Sequence, residues 1–363
     1  MHCMANPEAG PGVPLISVIV PARNEEANLA TCLDSLVSQT GVPFEIIVVD
    51  DHSSDRTRQI AASFAAANPN NVRVIEADPL PDGWIGKNNA VMTGARSARG
   101  KWLLFTDADT VHIPGSLARA LAEAQENNVD LLSYSPRQIA VTFAEMAVMP
   151  VVFAELERQY PPKKVSDPAS PIVAANGQYI LIRRDVYESV GGYAAIAGEI
   201  LEDVALARAV KTSGRRILFR NGGDAVRTRM YRNFLELREG WTKNLVLLFP
   251  KPGWRAVKTL LLWAIPWTAL AMESSGARAR ALWGMLFVGG IVYVTARLRR
   301  ANFALTMKVL GAIFGMPAFA YLLLCSKRAH AQGKVAWKGR TYGADRSVKP
   351  MPDRAPTADG RAA

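Results

Sequence analysis

From Leu15 the chain alternates short apolar, β-branched runs with stretches whose apolar residues recur every three or four positions. The runs are 15–20 (LISVIV), 44–50 (FEIIVVD), 72–77 (VRVIEA) and 101–109 (KWLLFTDAD), with helix-like stretches at 26–39, 55–67 and 88–99. Asp55 stands where it can cap the second of these helices. Strands that are apolar throughout are buried on both faces. Their alternation with helices predicts an α/β fold, a mostly parallel sheet with helices on both sides. Ligands of such sheets bind at the carboxyl ends of the strands.

Past 130–136 (DLLSYSP) the pattern changes to VTFAEMAVMPVVFAELERQY, too densely apolar for an ordinary surface helix and interrupted by Pro150. This segment either lies on a membrane or roofs a site. Residues 172–224 return to α/β character, with YILIRR, a helix from Leu201 to Ser213 and RILF completing the sheet. The stretch 232–249 mixes aromatics and cations, as a helix in a headgroup layer does and as a domain-closing helix also can. Three uncharged apolar runs follow at 259–272, 281–296 and 309–326. A span takes about 20 residues, so two or three membrane or re-entrant helices are expected. The division is a tail at 1–14, an α/β domain at 15–231, an interfacial segment at 232–256, membrane helices at 257–326 and a basic tail at 327–363.

The composition, 49% hydrophobic and 21% charged over 363 residues, excludes a disordered or low-complexity chain. Residues 1–225 hold 20 basic and 26 acidic side chains, whereas 226–363 hold 23 and 6. The cations flank apolar segments and form no stripe with exposed aromatics, which points to a membrane surface and away from nucleic acid. Cys3, Cys32 and Cys325 have neither metal nor redox spacing and suit a reducing compartment. Residues 1–14 lack a basic start followed by an apolar run, so no secretory signal is expected and the α/β domain is placed in the cytoplasm.

Candidate chemistry gathers at the predicted strand ends. Asp107 and Asp109 of FTDADT suit a divalent cation, which takes one or two carboxylates and completes its shell with water and phosphate oxygens; the same pair also suits a plain turn. Asp50 and Asp51 end the second strand, where a carboxylate accepts from a base or ribose or makes local turn bonds. Arg23, Asn24 and Glu25 end the first strand at the same edge. Neither GxxxxGK[ST] nor GxGxxG is present, so phosphate handling falls to a metal and to Lys87 of DGWIGKNNA, with Trp84 offering a face to a sugar. Glu202 and Asp203 open an amphipathic helix; they either complement its dipole or supply a general base, and Asp203 is then the base.

Taken together, VPARNEE (20–26), VVDDHSSDRT (48–57), TDADT (106–110) and LEDVALARAVKTSGRR (201–216) resemble glycosyltransferase family 2, the inverting transferases of GT-A fold, over about 16–244. The resemblance implies that Asp51 contacts uridine and that Asp107 and Asp109 hold Mg²⁺ or Mn²⁺ on the nucleotide diphosphate. It assigns Asp203 to the acceptor hydroxyl; from their own places in the chain, Arg23, Glu25 and Lys87 are expected to bind the nucleotide sugar, and Trp84 and Trp241 the acceptor. His112 falls near the metal or in a capping role. Where processive synthases carry (Q/R)xxRW, this chain has Leu237, Arg238, Glu239, Gly240 and Trp241, keeping only Trp. That departure is more similar to the branch that glycosylates membrane lipids, such as ceramide glucosyltransferases and hopanoid- or carotenoid-associated transferases. GWIGK, EGWTKN and WKGRTY are similar to the same branch. The implied protein is a multi-pass enzyme of the cell inner membrane that moves one hexose from a UDP-sugar to a lipid or isoprenoid. The alternatives are a processive polysaccharide synthase and a non-catalytic membrane scaffold.

Overall fold

The computed structural model describes residues 14–271, 276–300, 302–337 and 340–342. Cys3 with the rest of the N-terminal tail, Met272, and the C-terminal tail beyond Tyr342 lie outside the described residues. The chain divides into two compact units: Met1–Glu145 with Tyr160–Asn233, and Met146–Gln159 with Phe234–Ala363.

The first unit is built on a seven-stranded sheet. Its strands are β1 (Ile16–Ala22), β2 (Phe44–Asp50), β3 (Val72–Glu76), β4 (Trp102–Phe105), β6 (Leu131–Ser135), β8 (Ile180–Arg183) and β9 (Ile217–Asn221). They lie in the order β3-β2-β1-β4-β8-β6-β9, and all neighbours are parallel except at β8. The chain winds to opposite sides from β1, which makes the β1–β4 boundary the switch point where the carboxyl ends open a crevice. Val18 and Val20 face a core with Leu29, Leu33 and Leu36 of α1 (Leu29–Val37) and Leu117 and Leu121 of α4 (Ser116–Glu126). Helix α2 (Thr57–Ala67) follows β2; Asp55, just ahead of it, accepts the Thr57 N–H at 2.9 Å.

The opposite face carries α3 (Gly86–Ser97), and Gly94 decides how close it comes: a Cβ there would overlap the side chains of Ile19 and Val49. A short second sheet, β5 (Thr110–His112), β10 (Val226–Thr228) and β7 (Arg137–Gln138), is a feature the apolar pattern does not announce, because its strands are two or three residues long. It anchors the chain just after Asp109, with Val226 opposite His112 and Thr228 opposite Thr110. At the other end of the large sheet Glu45 is 2% exposed and accepts from Ser17 Oγ and the Arg99 N–H, each at 2.7 Å, and from Arg73 at 2.9 Å. Burial pushes its pKa up, yet these donors hold it below the ordinary carboxylate value.

In the second unit, α5 (Phe143–Gln159) packs against a π-helical turn, Gly311–Gly315, that joins α12 (Leu305–Leu310) to α13 (Met316–Ala331). Side chains at Gly311 and Gly315 would run into the Ala147 carbonyl and Val151, so two glycines four apart let the helices touch backbone to backbone. Most of α5 therefore belongs with the second unit, although its sequence falls inside the expected 15–231 domain. The helix starts on a capping box in which Thr142 N–H donates to Glu145 at 2.7 Å. Helices α9 (Phe234–Leu248), α10 (Pro252–Ala271) and α11 (Ala277–Arg297) complete the unit. Among the described residues, two segments are long and apolar enough to cross a membrane, Arg278–Arg297 and Leu305–Ala331. Along α10, Trp254, Val257, Leu261 and Ile265 are exposed at three- and four-residue spacing, an apolar stripe with no protein against it among the described residues.

Substituting Gly94→Ala gains about 1 kcal/mol of helix propensity but forces α3 off the sheet, typically costing about 1–3 kcal/mol. The overlap with two core side chains makes the net effect destabilising. The apparent melting temperature of the detergent-purified chain should fall for Gly94→Ala and not for Gly284→Ala, whose surroundings are open.

Candidate active site

The ends of β1, β2 and β4 bring three polar turns to one crevice. Arg23 follows β1 and donates from Nη1 to the Asp51 carbonyl at 2.7 Å, with the Asp51 carboxylate 3.9 Å away. Asn24 and His52 both have left-handed backbones, φ +52° and +53°, and turn the chain sharply off β1 and β2. Asparagine tolerates this conformation well. His52 extends to Glu76, 3.0 Å from its Nδ1. Glu25 gives its N–H to Thr57 Oγ1 at 2.7 Å and accepts Asn28 Nδ2 at 3.0 Å, so it ties the first turn to the second. Asp50 accepts the Ser53 N–H at 3.2 Å, a turn role, while Asp51 is 4% exposed at the base of the crevice.

Beyond β4, Asp107 and Asp109 are both half-buried. Asp107 Oδ1 lies 2.7 Å from Lys87 Nζ, which also lies 2.8 Å from Glu202 Oε1. Burial pulls Lys87 down, but these two carboxylates more than offset it and hold the ammonium well above its ordinary pKa. Asp109 accepts Gln178 Nε2 at 3.4 Å, and Gln178 is itself held by Thr228 Oγ1 at 3.1 Å. Two carboxylates with no third acidic, His or Cys partner do not make an all-protein metal cage, and no such group of three occurs among the described residues. The pair does fit a cation that arrives with a diphosphate and takes the rest of its shell from phosphate and water, and the ammonium already at Asp107 shows that the position accommodates positive charge.

Glu202 and Asp203 open α8 (Glu202–Thr212). Asp203 accepts the Gly177 N–H at 2.9 Å and the Val204 N–H at 2.8 Å. Its pKa is pushed up from 3.8 to about 6, first by burial and then by the Glu202 charge, against the opposing pull of Lys87 and the two N–H donors. Lys87, Asp107, Glu202 and Asp203 thus form one connected charge cluster. Gly177 sits against it: a Cβ there would meet Glu202 Oε1 and Lys87 Nζ, each at 3.3 Å.

Trp84 is half-buried in the loop before α3, its N–H on the Pro81 carbonyl at 3.2 Å. Trp241 lies in the second unit, 3% exposed and edge-on to Phe153. His112 is set among threonine hydroxyls. It is 2% exposed inside β5 with Nε2 3.1 Å from Thr106 Oγ1, and burial pushes its pKa down to about 3, which keeps the imidazole neutral. Cys32 is buried beneath Asp107 with its thiol pushed up to about 12, which makes it inert.

Sequence reasoning passed over Gly177, Gln178, Asn88 and the pairing of Glu202 with Lys87. The polar break Asn176-Gly177-Gln178 before β8 was the available signal for the first two. Asn88 donates from Nδ2 to the carbonyls of Ile196, Ala197 and Glu199 at 3.0–3.1 Å, fixing the loop that leads into Glu202. Nothing local in the sequence marks that long-range role.

Comparison with known proteins agrees with this geometry. Residues 17–191 match the family model described as glycosyl transferase family 2. The chain is 26% identical over 346 residues to 4,4'-diaponeurosporenoate glycosyltransferase of Staphylococcus aureus (strain USA300), covering 90% of this chain and 88% of the relative. The protein of that name from strain MRSA252 is 27% identical with the same coverage. Among solved structures, a mannosyltransferase from Pyrobaculum calidifontis in complex with GDP-Man and Mn²⁺ shares the fold at 17% identity, with a TM-score of 0.50 and 87% of each chain covered. With the strand-end carboxylates gathered on a mostly parallel sheet and the family model lying across it, residues 17–191 are similar to a glycosyl transferase family 2 domain.

Proposed function

We propose that this enzyme is a membrane-attached inverting glycosyltransferase that moves a single hexose from a UDP-sugar in the cytosol to a hydroxyl on a membrane lipid or isoprenoid. The observation that carries the reading is the Lys87 bridge: it joins Asp107, on the diphosphate side, to Glu202, the residue before the proposed base. Asp51, with Arg23 and Glu25 beside it, is assigned to the nucleoside. Asp107 and Asp109 would hold Mg²⁺ or Mn²⁺, which when bound neutralises charge building on the leaving diphosphate. Lys87 turns from Asp107 to the phosphate oxygens as donor binds, its charge secured by Glu202. Asp203 takes the acceptor hydroxyl's proton on the face opposite the departing diphosphate, which inverts the sugar carbon. Trp84 is assigned to the acceptor side.

Support for the lipid class comes from the Staphylococcus aureus relatives, named for a carotenoid acid. A carboxylate acceptor is already ionised and needs no base. A base whose pKa is raised to about 6 instead suits an alcohol. Membrane attachment rests on the two long apolar helices and the exposed stripe of α10. On this reading the helices form a multi-pass anchor in the inner membrane.

Asp109→Asn should abolish cation-dependent UDP binding, and unchanged affinity by calorimetry in Mn²⁺ would remove the metal role. Asp203→Asn should lower kcat for an alcohol acceptor by about 10²–10⁴-fold with donor affinity nearly unchanged; near-normal turnover would exclude it as the base. Because the base must be deprotonated, kcat should rise with pH through a midpoint near 6, where an unperturbed aspartate would titrate near 4. Glu202→Gln removes the neighbouring negative charge and should move that limb to lower pH; a limb that stays in place would dissociate it from Asp203.

A further inference from the structure

In the second unit, three guanidinium groups from three helices meet one carboxylate. Glu155 of α5 pairs with Arg158 of the same helix, with Arg255 of α10 at 3.1 Å and with Arg297 of α11 at 3.9 Å. One negative charge thus serves three positive ones.

Two of the three cations, Arg158 and Arg255, have anchors besides Glu155. Arg158 donates to the Arg297 carbonyl at 3.1 Å, and Arg255 donates to Gln159 at 2.8 Å while its guanidinium stacks 4.6 Å over the Phe249 ring. Lys327 of α13 reaches the start of α10, 3.3 Å from where a Gly253 Cβ would stand. The arginine side chains remain 22–29% exposed, so the group is ordered but open to an incoming anion.

Its place in the helices says which anion. Arg297 is the last residue of the apolar segment Arg278–Arg297, and only 11% of that segment's most apolar stretch is buried inside the structure. Arg255 follows Trp254 at the head of the exposed stripe of α10. The cations therefore stand where two exposed apolar helices end, the level of a bilayer headgroup. Guanidinium forks match phosphate oxygens bidentately, and basic pockets between membrane helices suit phospholipid headgroups.

We infer that Arg158, Arg255 and Arg297 form a binding site for the phosphodiester headgroup of an anionic phospholipid. The inference rests on the membrane reading of the second unit. That reading fails separately, by recovery of the chain in the supernatant of a detergent-free lysate.

The test is thermal unfolding of the full chain in neutral detergent, titrated with short-chain phosphatidylglycerol, phosphatidylcholine or inorganic phosphate. Phosphatidylglycerol should raise the melting temperature saturably and the other two should not. Arg255→Gln with Arg297→Gln should raise the half-saturating concentration at least tenfold, whereas Arg278→Gln with Arg280→Gln, at the far end of α11, should leave it unchanged. Glu155→Gln removes the competing carboxylate and should lower that concentration several-fold, which a purely structural ion-pair network would not do. If the double arginine variant does not fold, Glu155→Gln decides alone, and an unchanged or raised half-saturation overturns the site. No phosphatidylglycerol shift in the parent, an equal response of the two double variants, or an equal response to inorganic phosphate would also overturn it.

Discussion

Three carboxylates, Asp107, Glu202 and Asp203, share a partly dry crevice in which their mutual repulsion is poorly screened, and the ammonium of Lys87 lets them stay together. Its contacts of 2.7 Å to Asp107 and 2.8 Å to Glu202 join the end of β4 to the start of α8, elements that the sequence separates by about a hundred residues. The bridge sets demands on its surroundings. Helix α3 must lie close to the sheet for Lys87 to reach, which Gly94 permits, and the loop before α8 must stay in register, which Asn88 secures through three carbonyls. Gly177 leaves room for the contact, since a side chain there would press on both Lys87 and Glu202. Packing in the core and charge in the crevice are one problem for this domain.

The same cluster gives two adjacent acids different chemistry. Glu202 is paired with Lys87 and serves as its counter-ion. Asp203, one residue on, receives two backbone N–H bonds, and burial with the Glu202 charge outweighs these and the more distant pull of Lys87 to push its pKa upward. Environment, not residue type, separates a fixed counter-ion from a group able to carry a proton near neutrality.

Much of this was legible in sequence because the signals are local. Continuous apolar runs mark β1, β2 and β4, and the acidic turns after them fall at the edge where a parallel sheet puts its ligands. What escaped is non-local. The two- and three-residue strands of the small sheet carry too few positions to show a period, and the donor role of Asn88 toward residues more than a hundred positions away leaves no pattern. The surroundings of His112 are equally non-local: its place inside β5 turns the ring toward threonine hydroxyls, which its sequence neighbours do not announce. Helix α5 gave a truthful signal, an excess of apolar residues, without saying which unit would bury them. Its partners, the glycines at 311 and 315, stand about 160 residues later.

The second unit follows a different rule from the first. The catalytic unit buries apolar side chains between helices and sheet, as burial from water rewards, whereas the second brings helices together through glycines and leaves long side chains outward along α10 and α11. An inside-out distribution of this kind is costly in water and neutral in a lipid phase, where close backbone contact drives association. The excess of Lys and Arg after residue 225 fits the membrane proposal, since cations placed where apolar helices end suit a phosphate-bearing surface. On the proposed function the acidic crevice and the basic helix ends are complementary devices, the first for a phosphate that leaves with its nucleotide and the second for phosphates that stay in the bilayer.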